Sequence, residues 1–201
     1  MRHSSYIRLW YRRAFKPKVS PSPTLYLTFD DGPIPEVTPW VLATLKQWNA
    51  KATFFVIGEN IEKHPEIFRE VVSAGHEVGN HTYSHPMGKK TEFSTYWKDI
   101  QQCDDLVKSP FFRPPYGSLT RAQYRKVAEH FKLVMWDVMS YDFLENQTGE
   151  YCGNKVIREA KNGDIIVFHD SWKAFPRLQV ALPMVLEHFS KLGFQFQALT
   201  V

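Results

Sequence analysis

Leu25-Tyr26-Leu27-Thr28-Phe29-Asp30-Asp31-Gly32-Pro33 is the stretch on which the reading of this chain turns. The apolar run 25–29 has the length and composition of a buried strand. Two adjacent carboxylates end it, and a glycine and a proline turn the chain straight after them. Alternation along a strand sends neighbouring side chains to opposite faces. At a strand end followed by Gly-Pro, Asp30 and Asp31 can instead bend toward one pocket. Two like charges held that close are unfavourable unless they share a cation or a proton. Alone, the pair reads equally well as a surface turn, because Asp-Gly is a common turn dipeptide.

Beyond that strand, strand-like and helix-like stretches alternate to the end of the chain. Residues 36–49 predict a helix with Val37, Trp40, Val41, Leu45 and Trp48 on one face. A strand over 52–57 follows, then a helix over 61–74, broken at His64-Pro65 and closed by Gly75. Residues 76–79 form a short strand. Thr91 is expected to cap a helix reaching about Val107, with Phe93, Trp97, Ile100 and Val107 at helical spacing. Strand 111–113, a helix from the Thr120 cap to about His130 and strand 132–136 come next. After a polar loop over 140–150, the pattern gives helix 154–160, strand 164–168, helix 181–192 and strand 194–198. Seven strands alternating with helices make an α/β fold. Continuously apolar strands such as Ile165-Ile166-Val167-Phe168 suit a parallel sheet covered by helices. The count fits a distorted, incomplete seven-stranded (β/α) barrel, with a doubly wound open sheet as the alternative. Both architectures place ligands at the carboxyl ends of the strands.

A chain of 201 residues, 43% hydrophobic and 23% charged, is most simply one globular domain with a substantial core. We divide it into a basic extension and linker over 1–23, ending in Pro21-Ser22-Pro23, and a main domain over 24–201. Much of the +4 formal charge lies in Arg2, Arg8, Arg12, Arg13, Lys16 and Lys18, and the remainder is near balance. That distribution carries no nucleic-acid footprint. The extension lacks the apolar core of a signal peptide. It reads as an ordinary extension packed on the domain, or as a short surface helix in weak contact with anionic lipid. With no transmembrane-length run, the default expectation is a cytoplasmic protein with no obligate protein partner. Cys103 and Cys152 have no metal-site spacing and no disulfide-framework pattern.

Five polar clusters fall just beyond strand ends: Asp30-Asp31; His81 and His85; Arg113; Asp137 and then Asp142; and His169-Asp170. In a barrel these all point at one mouth. His81 and His85, four apart, would share a face on one helical turn. With Asp31 they make a two-histidine, one-carboxylate set suited to zinc (Zn2+), cobalt or another divalent ion. Asp30 is then placed to accept a proton, Arg113 to keep Asp30 ionised and oriented, and His169 to protonate a leaving group. His76 is the nearest rival ligand; His3, His64, His130 and His188 read as structural or surface residues. Trp136, Tyr141, Phe143 and Trp172 lie near the same strand ends and could stack on sugar rings, with core packing as the default for each.

Taken together, these residues resemble the NodB-like polysaccharide deacetylases, the fourth carbohydrate esterase family, over about residues 24–200. The family's first motif, T-F-D-D-G-P, is Thr28 to Pro33. Its second, H-[ST]-x-x-H, is His81-Thr82-Tyr83-Ser84-His85. Its third, R-x-P-Y, is Arg113-Pro114-Pro115-Tyr116, and its fifth is Val167-Phe168-His169. The fourth departs: Met139 stands where the family usually has an aspartate, and Phe143 where it has a tryptophan. A family carboxylate in that region tunes the histidine, so Asp142 is the first choice of partner for His169 and Asp137 the second.

The resemblance implies a distorted barrel and metal-dependent removal of acetyl groups from an N-acetylated glycan, such as N-acetylglucosamine units of peptidoglycan or chitin-like oligomers. It implies Asp31, His81 and His85 as metal ligands, Asp30 as base and His169 as acid. The Tyr116 backbone N–H would stabilise the oxyanion. Alternatives on the same scaffold are an O-acetyl esterase of the xylan type and another amide hydrolase. A catalytically silent carbohydrate-binding relative is a further alternative.

Overall fold

The computed structural model describes residues 14–18 and 20–201. Eight strands are described: β1 (Thr24–Asp30), β2 (Ala52–Val56), β3 (Glu77–Asn80), β4 (Phe111–Phe112), β5 (Lys132–Leu133), β6 (Val138–Met139), β7 (Ile165–His169) and β8 (Gln195–Phe196). Seven α-helices are described between them: α1 (Val37–Gln47), α2 (Gly58–Lys63), α3 (Pro65–Ser73), α4 (Phe93–Val107), α5 (Arg121–His130), α6 (Gly149–Glu159) and α7 (Phe175–Lys191).

The strands pair in parallel in the order β5-β4-β3-β2-β1-β7-β6, with β8 paired to the start of β1. This order runs round the sheet without the reversal a doubly wound sheet requires. It is an incomplete (β/α) barrel: a curled half-barrel, open between β5 and β6. β8 lies at the start of β1, where the Lys51 N–H also donates to the Phe196 carbonyl. The strand expected over 132–136 is only two residues long, and β6 is a further short strand that hydrophobic pattern did not reveal. Asp137, between them, bonds backbone to backbone with Ile165 and ends the departure from β5.

Alternation along the central strands divides the core. Leu25, Leu27, Phe29, Phe54, Val56, Ile166 and Phe168 join one apolar cluster with α1, α6 and α7. Tyr26, Phe55, Ile165 and Val167 join the other, with Phe111, Val134, Met135 and Trp136. The ring of Phe29 stacks between those of Phe54 (5.1 Å) and Phe168 (6.0 Å). Phe29 is thus committed to the first cluster, and Thr28 and Asp30, one residue either side, face the opposite way.

Several helix ends differ from the sequence expectation. The break at His64-Pro65 is present, with Pro65 opening α3. Thr120 caps α5 through a capping box with Gln123. The cap of α4 is Glu92 rather than Thr91: its carboxylate accepts from the Ser94 and Thr95 N–H groups, and the Thr91 hydroxyl donates to Met87 O. The buried face of α4 is Tyr96, Ile100, Cys103 and Val107, while Phe93 is exposed. α6 begins at Gly149, inside the stretch expected to be loop, and α7 begins six residues early, with Pro176 in its first turn.

The surface helix and lipid contact considered for the basic segment 1–20 fall largely on residues 1–13, which lie outside the described residues, and residues 14–18 are not helical. Of the rest, the Phe15 N–H donates to Leu133 O (2.7 Å) and its ring meets Phe111 edge-on at 5.2 Å. Lys16 pairs with Asp137. This part of the extension packs against the β4–β5 end of the sheet. Among the described residues, no helix is long and apolar enough to cross a membrane.

Candidate active site

A cavity of about 560 Å³ opens at the carboxyl ends of the strands. Asp30, Asp31, His81, His85, Tyr116, Phe143 and His169 line it, with Trp136, Met139, Leu144 and Lys173 among the remaining walls. The carboxylates reach the same cavity because β1 ends between them. Asp30 is its last residue, and Asp31 takes a φ of +87°, a left-handed value rare for a non-glycine residue.

Asp30 is buried and tied to Arg113, whose Nη1 donates to Oδ1 at 2.6 Å. Arg113 is itself fully buried. The same Nη1 donates to Thr28 Oγ1 (2.8 Å), Nη2 to Met135 O (3.1 Å) and Nε to Val134 O (3.3 Å). Its guanidinium lies 4.1 Å from the Phe55 ring centroid. A buried charge pair is tolerable when remaining donors are satisfied in this way. Among the described residues no hydrogen bond engages Asp30 Oδ2.

Asp31 Oδ1 lies 3.3 Å from His85 Nε2 and 3.8 Å from His81 Nε2. The three residues form a group whose candidate ligand atoms all lie within 4.8 Å of one another. Two ligand atoms each ~2.1 Å from one tetrahedral ion sit roughly 3.4 Å apart, so the spacing fits such an ion. The donor chemistry fits too. His81 Nδ1 lies 2.7 Å from Arg113 O, a contact that leaves Nε2 as the free lone pair. Burial, with His85 nearby, outweighs the opposing charges of Asp30 and Asp31 and lowers the His81 pKa to about 4. Its ring is therefore neutral at pH 7. For Asp31, burial acts upward, but the His85 hydrogen bond and the charges of His169, His81 and His85 carry it well below the usual carboxylate range.

The histidines do not share a helical turn, contrary to expectation. Residues 81–87 form an irregular loop in which Thr82 (φ +68°) and His85 (φ +59°) are left-handed. Asp99 of α4 holds that loop, accepting from the N–H groups of Tyr83 (2.7 Å) and Ser84 (3.0 Å) and from the Ser84 hydroxyl (2.6 Å). Asn80 Oδ1 accepts from Thr82 N, and Thr82 Oγ1 from His85 N. The rings still end 5.1 Å apart.

Across the cavity, His169 Nδ1 lies 2.7 Å from Asp142 Oδ1, and the His169 N–H donates to Asp142 Oδ2 at 2.8 Å. Asp142 is fully buried, and Arg177 Nε donates to its carbonyl at 2.6 Å. Burial pushes the His169 pKa down, but the charge and hydrogen bond of Asp142, with Asp31 and Asp30, outweigh it and raise it to about 9. The second-choice partner, Asp137, is elsewhere: it accepts from Ile165 N and pairs with Lys16. Met139 lies in β6 opposite Val167, and Phe143 meets the His169 ring edge-on at 5.0 Å.

Tyr116 has φ +58° and an exposed ring 4.8 Å from that of His85. Among the described residues no acceptor takes its backbone N–H. His76 is remote from this mouth: it precedes β3, accepts from Ala52 N through Nδ1, and lines a different cavity. Trp172 is exposed and Trp136 and Phe143 line the cavity wall, while Tyr141 lies under Lys155. Sequence reasoning missed Asp99 and Arg177, as well as Asn60, whose Nδ2 donates to Asp31 O (2.8 Å), and Thr38, whose Oγ1 donates to Asp170 Oδ2 (2.6 Å). Each acts on backbone or through another side chain, and nothing local in sequence marks it.

The family model for polysaccharide deacetylase matches residues 18–136. A Bacillus cereus protein named peptidoglycan-N-acetylglucosamine deacetylase is 38% identical over 152 residues, covering 72% of this chain and 55% of its own length. A second B. cereus protein of that name is 35% identical over 178 residues, covering 85% of this chain and 83% of its own. The crystal structure of a peptidoglycan N-acetylglucosamine deacetylase matches with a TM-score of 0.86 at 31% identity, covering 94% of this chain and 92% of that one. The chain therefore spans about half the length of the first of these relatives and most of the other two.

Proposed function

The chain belongs to the polysaccharide deacetylase family, and from that premise we propose that it hydrolyses the acetamide of N-acetylglucosamine units in a peptidoglycan-type glycan. The products are acetate and a glucosamine amine. One observation carries the reading: Asp30 with Arg113, Asp31 with two histidines, and His169 with Asp142 all meet at one cavity. The names of the relatives support N-acetylglucosamine as the sugar. The catalytic unit is taken as 24–201, supported by β1 opening at Thr24 and by the Leu199 N–H donating to Thr53 Oγ1 near the other end.

Asp31, His81 and His85 would hold a divalent ion, most simply zinc. When bound, the ion supplies Lewis acidity toward a carbonyl oxygen and toward water. Asp30, held in place by the buried Arg113, accepts the proton of the attacking water. The Tyr116 N–H donates to the oxygen that gains charge as the carbonyl carbon becomes tetrahedral. His169, protonated at neutral pH, donates to the departing sugar nitrogen, and Asp142 stabilises the imidazolium that supplies that proton. Trp136, Met139, Phe143 and Leu144 give the acetyl methyl group an apolar wall.

The test is acetate release from N-acetylglucosamine oligomers by metal-stripped protein, with and without zinc or cobalt. Release that returns with metal supports the reaction class; a protein that binds metal yet releases no acetate overturns it. Asp30→Asn is expected to keep zinc and lose roughly 10²–10⁴-fold in turnover. Undiminished turnover would remove Asp30 from the role of base.

A further inference from the structure

Asp31 meets the two histidines from a left-handed backbone conformation, φ +87°, that non-glycine residues rarely adopt. Such a conformation persists when its surroundings over-determine it. Here the Asp31 N–H donates to Phe55 O (3.3 Å), and Asn60 Nδ2 donates to Asp31 O (2.8 Å). The next residue, Gly32, is held at both its backbone groups. Ile57 N donates to Gly32 O at 2.9 Å, and the Gly32 N–H donates to Asp170 Oδ1 at 3.0 Å.

Asp170 is almost wholly buried and does not line the cavity. Its Oδ2 accepts from Thr38 Oγ1 at 2.6 Å, and Thr38 Oγ1 accepts from the Ile34 N–H at 2.8 Å. Its own N–H donates to Asp30 O at 3.0 Å. One residue thus grips the main chain before Asp31 and after it, and through Thr38 holds the exit of the turn. The fit leaves no slack: a Cβ on Gly32 would stand 2.0 Å from Asp170 Oδ2. No other side chain permits that approach.

From this geometry we infer that Asp170, acting with Thr38 through the Gly32 amide, is a positioning residue that fixes Asp31 for metal binding. The inference rests on the reading of Asp31, His81 and His85 as the metal site. The end of β7 then serves the site twice, delivering His169 and, one residue later, the brace for a ligand that projects from β1.

The test is zinc titration calorimetry on the metal-stripped full chain, with the melting temperature of the same metal-free samples. Asp170→Asn and Thr38→Val are each expected to weaken zinc binding, by about 10–100-fold for Asp170→Asn. Thr38→Ser, which keeps the hydroxyl, is expected to bind as wild type. Thr38→Val leaves the Asp170 side chain in place and removes only its hydrogen bond, so weakening there reports the linkage through Thr38, and it serves alone if Asp170→Asn fails to fold. Variants that melt earlier yet bind zinc like wild type would overturn the inference in favour of a structural role. A wild-type chain that takes up no zinc would overturn the metal reading first and this inference with it.

Discussion

His169 is pulled two ways, and the outcome has a stability consequence that can be read without substrate. Burial favours the neutral ring; Asp142, in contact with it, and Asp31 and Asp30 across the cavity favour the imidazolium and prevail, lifting its pKa to about 9. The folded state therefore holds this proton more tightly than the unfolded chain does. The stabilisation is complete below the ordinary histidine value near 6.5 and is lost as pH rises through about 9. In metal-free protein it is worth on the order of 3 kcal/mol. Urea midpoints at pH 6, 8 and 10 should fall more steeply for wild type than for Asp142→Asn. Equal slopes would mean that Asp142 does not hold the proton. Bound metal, a nearby positive charge, should shrink the effect. At this scale the sequence was informative about which residues bear charge but left two carboxylates open as partner for His169. Asp142 and Asp137 were both candidates because neither loop length nor composition says which carboxylate turns inward. Asp137 is claimed by the Ile165 amide and Lys16, and Asp142 is left to His169.

The helix pair α6 and α7 shows how a local signal can mislead about an element. Gly149 sits in the stretch read as loop and Gly153 just before the expected helix, yet both lie in α6 because that helix packs closely on α7. A Cβ at Gly149 would stand 2.5 Å from Val180 Cβ and 2.9 Å from Arg177 O, neither of which can swing away. At Gly153 the nearest atom is the flexible Met184 Sδ at 3.1 Å, with Ala181 Cα at 3.3 Å. Gly149→Ala should therefore cost about 1–3 kcal/mol by overpacking. Gly153→Ala should be milder, since the ~1 kcal/mol gain in helix propensity offsets the crowding. Chemical denaturation of both variants checks this, and equal costs would sink the account. Long central strands were legible because β1, β2 and β7 are buried on both faces and read as mainly apolar runs. The two-residue strands β5 and β6 were not, because their limits are set by pairing with β4 and β7 rather than by any pattern of their own. The histidine loop was hidden for a similar reason: Asp99 shapes it from a helix that follows it in sequence.

Across the whole molecule, the convergence of polar clusters was legible because every pairing is parallel, so every strand presents its carboxyl end to one side. That arrangement also couples the candidate metal site to global stability. Asp31 extends from the end of β1, and His81 and His85 follow β3, with β2 paired between the two strands. An ion held by all three side chains ties together strand ends that come apart on unfolding, so it binds the folded state and not the unfolded one. At a free zinc concentration ~100 times the dissociation constant, mass action adds about 2.7 kcal/mol. For a chain of this size, each kcal/mol raises the midpoint by roughly 2–4 °C. Melting should therefore shift upward by roughly 5–10 °C with saturating zinc and return with a chelator. The rise should be present at pH 7, where the depressed His81 pKa keeps protons from competing for its ring. Asp31→Asn should abolish most of it, from a metal-free midpoint that is itself lower than wild type, because the depressed Asp31 pKa is stability lost with that carboxylate. A shift of the same size in Asp31→Asn would assign the effect to zinc bound elsewhere on the surface, and the three-residue site would lose its claim to the ion.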